Sequence, residues 1–241
     1  TAAEYAIDFF GLLKHSKGEW AGQPFQLAPW QQFILWNLFG WKGADGLRRF
    51  QTAFVEVPRK NGKSTLTAGI GLFLLTMDGE SGAEIYSAAT KRDQAKILWE
   101  EAARMVAASP SLRHLVAHWR SSSTLSVEST HSKFLPLGAD ADTLDGLNVH
   151  GALIDELHAH RTSEVVDVLQ TATGARRQPL QFEITTAGFD QNGIGYDHYQ
   201  YARNVLNLVF DDDKWFVFIA ELDPGDDWQD EQTWAKANPN L

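Results

Sequence analysis

Cysteine is absent from the 241 residues, which removes disulfides, thiolate metal sites and cysteine nucleophiles. That composition is compatible with a reducing cytoplasm. Long apolar runs are missing too. The best, around Ile70 to Thr76, is too short to cross a membrane and starts among glycines. No secretory signal pattern is visible. Positive charge is scarce: 21 Lys and Arg stand against 31 Asp and Glu, for a net charge of −10. This argues against a static basic clamp on nucleic acid, because affinity for DNA comes largely from neutralising phosphates. It leaves room for a motor that touches DNA through a few loops.

What is present is an ordinary globular composition, 44% hydrophobic and 22% charged. The length suits one large α/β domain, or a core with a small appendage. Nine Trp and 14 Phe give a heavy aromatic load, read as packing residues. The chain opens at Thr1 without Met and ends at Asn240-Leu241 in mid-pattern, which points to a piece of a longer protein.

Apolar periodicity predicts a helix over Ala2 to Lys14, with Tyr5, Phe9, Leu12 and Leu13 on one face. A second helix is predicted from Pro29, which suits a first helical turn; Trp30, Trp36 and Trp41 read as packing residues. Strands are predicted at Phe50–Val57, Ala83–Ala89, Val149–Ile154, Gln181–Thr186 and Trp215–Leu222. Helices are predicted at Ser64–Thr76, Lys91–Ala108, Glu164–Ala172 and Tyr196–Leu206, the second of these stopping at Ser109-Pro110. His118 to Leu137 offers three short β-like pieces. Alternation of strands and helices implies βαβ units and a mostly parallel sheet covered on both faces.

The chemistry is concentrated at the ends of three predicted strands. Val57-Pro58-Arg59-Lys60-Asn61-Gly62-Lys63-Ser64 follows the first strand and opens the helix after it. It ends as a phosphate-binding loop does but carries Val57 where that motif has its first glycine. Backbone N–H groups at the helix start would cradle phosphate oxygens, Lys63 would reach the β- and γ-phosphates, and the Ser64 hydroxyl would ligate Mg²⁺. Ala152-Leu153-Ile154-Asp155-Glu156 is an apolar strand delivering two carboxylates at its C-terminal end. There Asp155 would hold Mg²⁺ and Glu156 would polarise the attacking water. Each motif alone has a plainer reading, a chance Gly-Lys-Ser or a strand reaching solvent; together, in this order, they point to an NTPase. Thr185-Thr186-Ala187-Gly188 closes the next strand, where small hydroxyls could sense a γ-phosphate or simply form a turn. His158 and His160, two residues apart beside acids, lack the further ligands of a transition-metal site. Lys91, Arg92 and Lys96 could touch DNA, although a solvated helix face is the default.

Taken with Pro29-Trp30-Gln31 and Ile154-Asp155-Glu156-Leu157-His158, these motifs resemble the large terminase subunit of tailed bacteriophages, the ATPase motors that package DNA into the prohead. The resemblance covers nearly the whole chain. It implies an ASCE-type P-loop NTPase, with a mostly parallel central sheet flanked by helices and a small C-terminal lid. The corresponding division is a helical segment with the adenine motif over 1–48, an ATPase core over 49–190 and a lid or linker over 191–241. The resemblance also makes the missing glycine a family trait and gives Arg59 a γ-phosphate contact from within the same subunit. Catalysis then falls to Glu156, Lys63 and Arg59. ATP binding falls to Gln31 as the adenine residue (Gln32 being the weaker choice), to Pro58, Arg59, Lys60, Asn61, Gly62, Lys63, Ser64 and Thr65, and to Asp155. Mg²⁺ falls to Ser64 and Asp155, and coupling to Thr185, Thr186, Ala187 and Gly188.

As partners the resemblance implies double-stranded DNA, a portal protein, a small terminase subunit and further copies of the chain in a ring, all in the host cytoplasm. The family's nuclease would follow Leu241, so this chain is expected to hydrolyse ATP weakly and not to cut DNA. Thr143-Leu144-Asp145-Gly146-Leu147-Asn148 offers no trans-acting arginine where some terminases have one, leaving Arg92, Arg176 and Arg177 as candidates. The competing readings are a helicase-like ATPase, which would need a second RecA-like lobe, and a nucleotide-gated assembly module.

Overall fold

A computed structural model describes residues 1–138, 146–160, 162–188 and 190–241. Among these, eight strands form one sheet in the order β3-β4-β5-β2-β6-β7-β1-β8. The strands are β1 (Thr52–Glu56), β2 (Glu84–Ala88), β3 (Ala117–Trp119), β4 (Thr124–Val127), β5 (Ser132–Leu137), β6 (Val149–Asp155), β7 (Leu180–Thr185) and β8 (Trp215–Ile219). From β5 to β8 all neighbours are parallel, whereas β3, β4 and β5 pair antiparallel at one edge. The α/β class and the mostly parallel sheet therefore match the sequence pattern. Residues 143–145 of the arginine-free stretch lie outside the described residues.

The helices are α1 (Ala2–Leu12), α2 (Pro29–Gly40), α3 (Lys63–Thr76), α4 (Arg92–Ala108), α5 (Pro110–Leu115), α6 (Glu164–Thr171), α7 (Ile194–Leu206) and α8 (Glu231–Ala237). One face of the sheet is covered by α1 to α5 and the other by α6 and α7. Helix α3, which carries the phosphate-loop residues, lies deepest, with 11 of its 14 residues buried. Close approach requires two of its glycines. A Cβ on Gly71 would sit 2.6 Å from Leu153 Cδ1, and one on Gly69 would collide with the Phe10 ring. The loop ahead of α3 is thus anchored by a helix locked into the core, which gives the site a fixed base.

Two expectations need correction. Trp30 is buried and its ring stacks on Phe218 with centroids 5.8 Å apart, but Trp36 and Trp41 are 46% and 50% exposed and do not pack in the core. Helix α2 buries Ile34, Leu35 and Leu38 instead, which turns Trp36 outward. On α1 the buried face is Ala3, Ala6, Phe9 and Phe10, so Leu12 faces solvent and Tyr5 lies half exposed at the rim, its ring edge-on to Phe73. Pro110 both stops α4 and opens α5 as its first residue. The segment 191–241 also contributes β8 to the central sheet, paired with β1 from Thr52↔Trp215 to Glu56↔Ile219.

Candidate active site

Parallel pairing brings the C-terminal ends of β6, β7 and β1 to the same edge in that order. The phosphate-type loop leaves β1, the two carboxylates end β6, and β7 stands between them. Backbone hydrogen bonds tie the three together: the Val57 amide donates to the Thr185 carbonyl (3.1 Å) and the Glu156 amide to the Ile184 carbonyl (2.9 Å). Sequence patterns show the three strand ends but not which strand is the middle one.

Within the loop, Lys60 (φ 67°) and Gly62 (φ 77°) take left-handed backbone, which curls the chain into α3. A bulky residue such as Lys is uncommon there and implies a conformation imposed by its surroundings. Arg59 and Lys60 are exposed, whereas Asn61 and Lys63 are buried. The Asn61 side chain donates to the Pro58 carbonyl (3.2 Å), bracing the loop across its own turn. Lys63 Nζ donates to the carbonyls of Val57 and Pro58, both at 3.2 Å. Burial pulls the Lys63 pKa down and Arg59 adds to this, against Glu156 and Asp155, which raise it. Thr65 sits in the first turn of α3, half-buried.

Gln31 meets the loop from the other side. Its amide oxygen accepts the Ala28 N–H (3.0 Å) at the start of α2, and its Nε2 lies 3.3 Å from where a Cβ on Gly62 would be. Gln32 is exposed and donates to the Leu27 carbonyl, away from this contact. The structure therefore brings Gln31, and not Gln32, to the phosphate loop.

Ser64 Oγ donates to Asp155 Oδ2 at 3.3 Å, joining the loop to the acidic strand. Burial and the adjacent Glu156 push the Asp155 carboxyl up to about 6, although Ser64 and Lys63 pull it the other way. A hydroxyl and a buried carboxylate short of positive charge fit a hard divalent cation such as Mg²⁺, whose remaining ligands are usually water and phosphate oxygens. Among the described residues no group of three or more His, Cys, Asp and Glu side chains is arranged to hold a metal by itself. Of the two histidines, His158 contacts Glu156 and Thr185, and His160 is buried, its pKa pulled down first by burial.

Glu156 also has left-handed backbone (φ 56°, ψ 49°), the chain reversing as β6 gives way to the 3-10 turn Leu157–Ala159. Thr185 is buried at the end of β7, with Thr186 beside it, while Ala187 and Gly188 are exposed. A cavity of about 230 Å³ opens behind this strand end, lined by Glu56, His158, Thr185, Gly188, Tyr199 and Glu221. Burial first, then Glu221, push Glu56 up to about 7. Sequence reading missed Glu56, although a lone carboxylate inside the apolar run Phe54-Val55-Glu56-Val57 was a visible signal.

The three trans-arginine candidates separate in space. Arg176 donates to the carbonyls of Asn148, Ser81 and Gly82 and is thereby occupied within the chain. Arg177 precedes β7, on the edge opposite the site, and Arg92 opens α4 just past the end of β2, exposed on the site's own edge.

The Terminase large subunit, ATPase domain, family model matches residues 29–204. The terminase large subunit of Enterobacteria phage HK97 is 30% identical over 235 residues, covering 93% of this chain and 43% of the relative. Protein YmfN of Escherichia coli K12 is 43% identical over 97 residues, 40% of this chain and 21% of that protein. The crystal structure of the HK97 bacteriophage large terminase superposes with a TM-score of 0.84 at 26% identity, over all of this chain and 48% of that one. The chain thus spans less than half the length of these relatives.

Proposed function

Because this chain belongs to the family of terminase large-subunit ATPase domains, we propose that it is the Mg²⁺-dependent ATP-hydrolysing part of a motor that drives double-stranded DNA into a procapsid. Water attacks the γ-phosphorus, the bond from that phosphorus to the β–γ bridging oxygen breaks, and Glu156 takes the proton released by the water. Lys63 and Arg59 stabilise charge on the γ-phosphate, with Lys63 exchanging its loop carbonyls for phosphate oxygens. The backbone from Pro58 to Thr65 holds the phosphates. Gln31 reads adenine, and its contact at Gly62 ties that reading to the loop. Mg²⁺ held by Ser64 and Asp155 would supply further charge neutralisation on the phosphate oxygens.

Phosphate release is transmitted through Thr185 to Gly188. The observation that carries this reading is the position of β7, whose terminal carbonyls accept from both Val57 and Glu156. The proposed division stays at 1–48, 49–190 and 191–241, with β8 tying the last segment to β1. Arg92 is the arginine we assign to a neighbouring copy's site in a ring. Portal protein and small subunit are the proposed partners, in the host cytoplasm, and no DNA cleavage is proposed for this chain. Among the described residues no helix is long and apolar enough to cross a membrane.

Replacing Glu156 by Gln tests the assignment. Turnover is expected to fall by a factor on the order of 10²–10³ while ATP affinity stays within a few-fold. Unchanged hydrolysis would remove Glu156 from the mechanism. Measured with GTP beside ATP, the parent chain should prefer ATP; equal affinities would count against Gln31.

A further inference from the structure

We propose that His158 is a positioning residue which holds the Glu156 carboxylate and fastens it to the end of β7. The proposal rests on the reading of Glu156 as the base. Glu156 is fixed at its backbone, where its amide donates to the Ile184 carbonyl and to its neighbour's Asp155 Oδ1 (3.0 Å). Its side chain is 44% exposed, and a half-exposed carboxylate left to itself samples several rotamers. The partner that selects one is His158, whose Nδ1 is 3.2 Å from Glu156 Oε2.

The same Nδ1 lies 2.9 Å from Thr185 Oγ1, and the His158 amide donates to that oxygen at 3.2 Å. Thr185 has a single hydroxyl proton, and it is given to the Thr186 carbonyl (3.0 Å). Toward His158 the hydroxyl oxygen can therefore only accept. Nδ1 carries the hydrogen and shares it between Thr185 Oγ1 and Glu156 Oε2, a tautomer assigned from the network. A neutral Nδ1 without hydrogen would put a lone pair against the carboxylate.

His158 is also enclosed by backbone. A Cβ on Gly188 would come within 3.0 Å of His158 Cβ, and one on Gly195 within 2.7 Å of His158 Cα. The imidazole is thus clamped between the coupling loop and α7, and a shift of the Thr185–Gly188 segment displaces it. That displacement moves the hydrogen bond which orients Glu156. The arrangement has the form of a base oriented by a third group, with the third group sitting on the element proposed to move.

The test compares kcat, KM for ATP and affinity for a non-hydrolysed ATP analogue in the 241-residue chain and in His158→Ala, His158→Asn, Thr185→Val, Thr185→Ser and Glu156→Gln. His158→Ala is expected to lower kcat by about tenfold or more, the scale of losing a group that orients a reacting one. KM and analogue affinity should stay within twofold. His158→Asn, whose amide N–H can replace Nδ1–H, should recover most of the loss. Thr185→Val should lower kcat and Thr185→Ser should recover most of that loss, a contrast that stands even if His158→Ala does not fold. Equal losses for Asn and Ala, a loss confined to KM, or an unchanged kcat in His158→Ala would overturn the proposal. Wild-type turnover in Glu156→Gln would instead overturn the role of Glu156; an inactive Glu156→Gln beside a fully active His158→Ala would overturn the positioning role alone.

Discussion

At the N-terminal ends of the central strands, Asp78 lies between the Arg48 guanidinium (2.5 Å) and His150 Nε2 (2.7 Å), all three side chains nearly out of solvent. At the C-terminal ends, Glu56, Asp155 and Glu156 are gathered around loops whose lysine bonds to carbonyls instead of to a carboxylate. Burial acts on both groups in the same direction, raising each carboxyl. For Asp78 the Arg48 charge and the His150 hydrogen bond outweigh burial and hold its pKa low. For Asp155 and Glu56 nothing outweighs it, and they rise to about 6 and about 7. One edge holds a buried carboxylate whose charge is paired with a buried guanidinium. The other retains uncompensated negative charge, which costs stability in the free chain and suits a site that takes up cations and phosphate-bound charge.

Breaking the paired edge should have the largest effect. Asp78→Asn leaves Arg48 buried without its counter-charge, and a loss of about 3–5 kcal/mol in unfolding free energy is expected from denaturant titration. Because the Asp78 pKa is lowered, the stability it supplies is present above the unfolded value of 3.8 and disappears as pH falls through the folded one. A loss below 1 kcal/mol would mean the pair is not buried as described.

Relieving the open edge should have the opposite sign and a smaller size. Glu56→Gln is expected to stabilise the chain by about 1–2 kcal/mol at pH 8. The folded pKa of Glu56 is raised from 4.5 to about 7, so its ionised form is the costly one. The gain should therefore be absent below pH 4.5, grow between 4.5 and about 7, and level off above that. Melting curves of both proteins across that range check the sign and the window together.

Much of the site was legible because each part sits at the end of an apolar run. Val57 to Ser64 follows β1 and Asp155-Glu156 ends β6, so type and place coincide in the sequence. Strand order was not legible, since periodicity names elements without naming neighbours; hence the middle position of β7 came only from the fold. Gln31 was singled out, but its contact with Gly62 depends on how α2 lies against α3. Helix α8 escaped notice because it has seven residues, none of them buried, although Asp230 caps it by accepting the Gln232 N–H. Trp36 misled because aromatic residues at helical spacing suggest a core face, and here the aliphatic residues of α2 fill that face. The role of His158 was not legible because its partner Thr185 is 27 positions away in the chain.

The contrast between the two edges comes down to Asp155. Melting temperatures of the nucleotide-free chain and of Asp155→Asn at pH 8, read beside ATP turnover, test it most directly. The account predicts that Asp155→Asn melts higher, by about 2–4 °C for each kcal/mol gained, while hydrolysis is abolished. If Asp155→Asn melts lower, as Asp78→Asn is expected to, the carboxylate is part of the fold's own ion network and the open edge is not one.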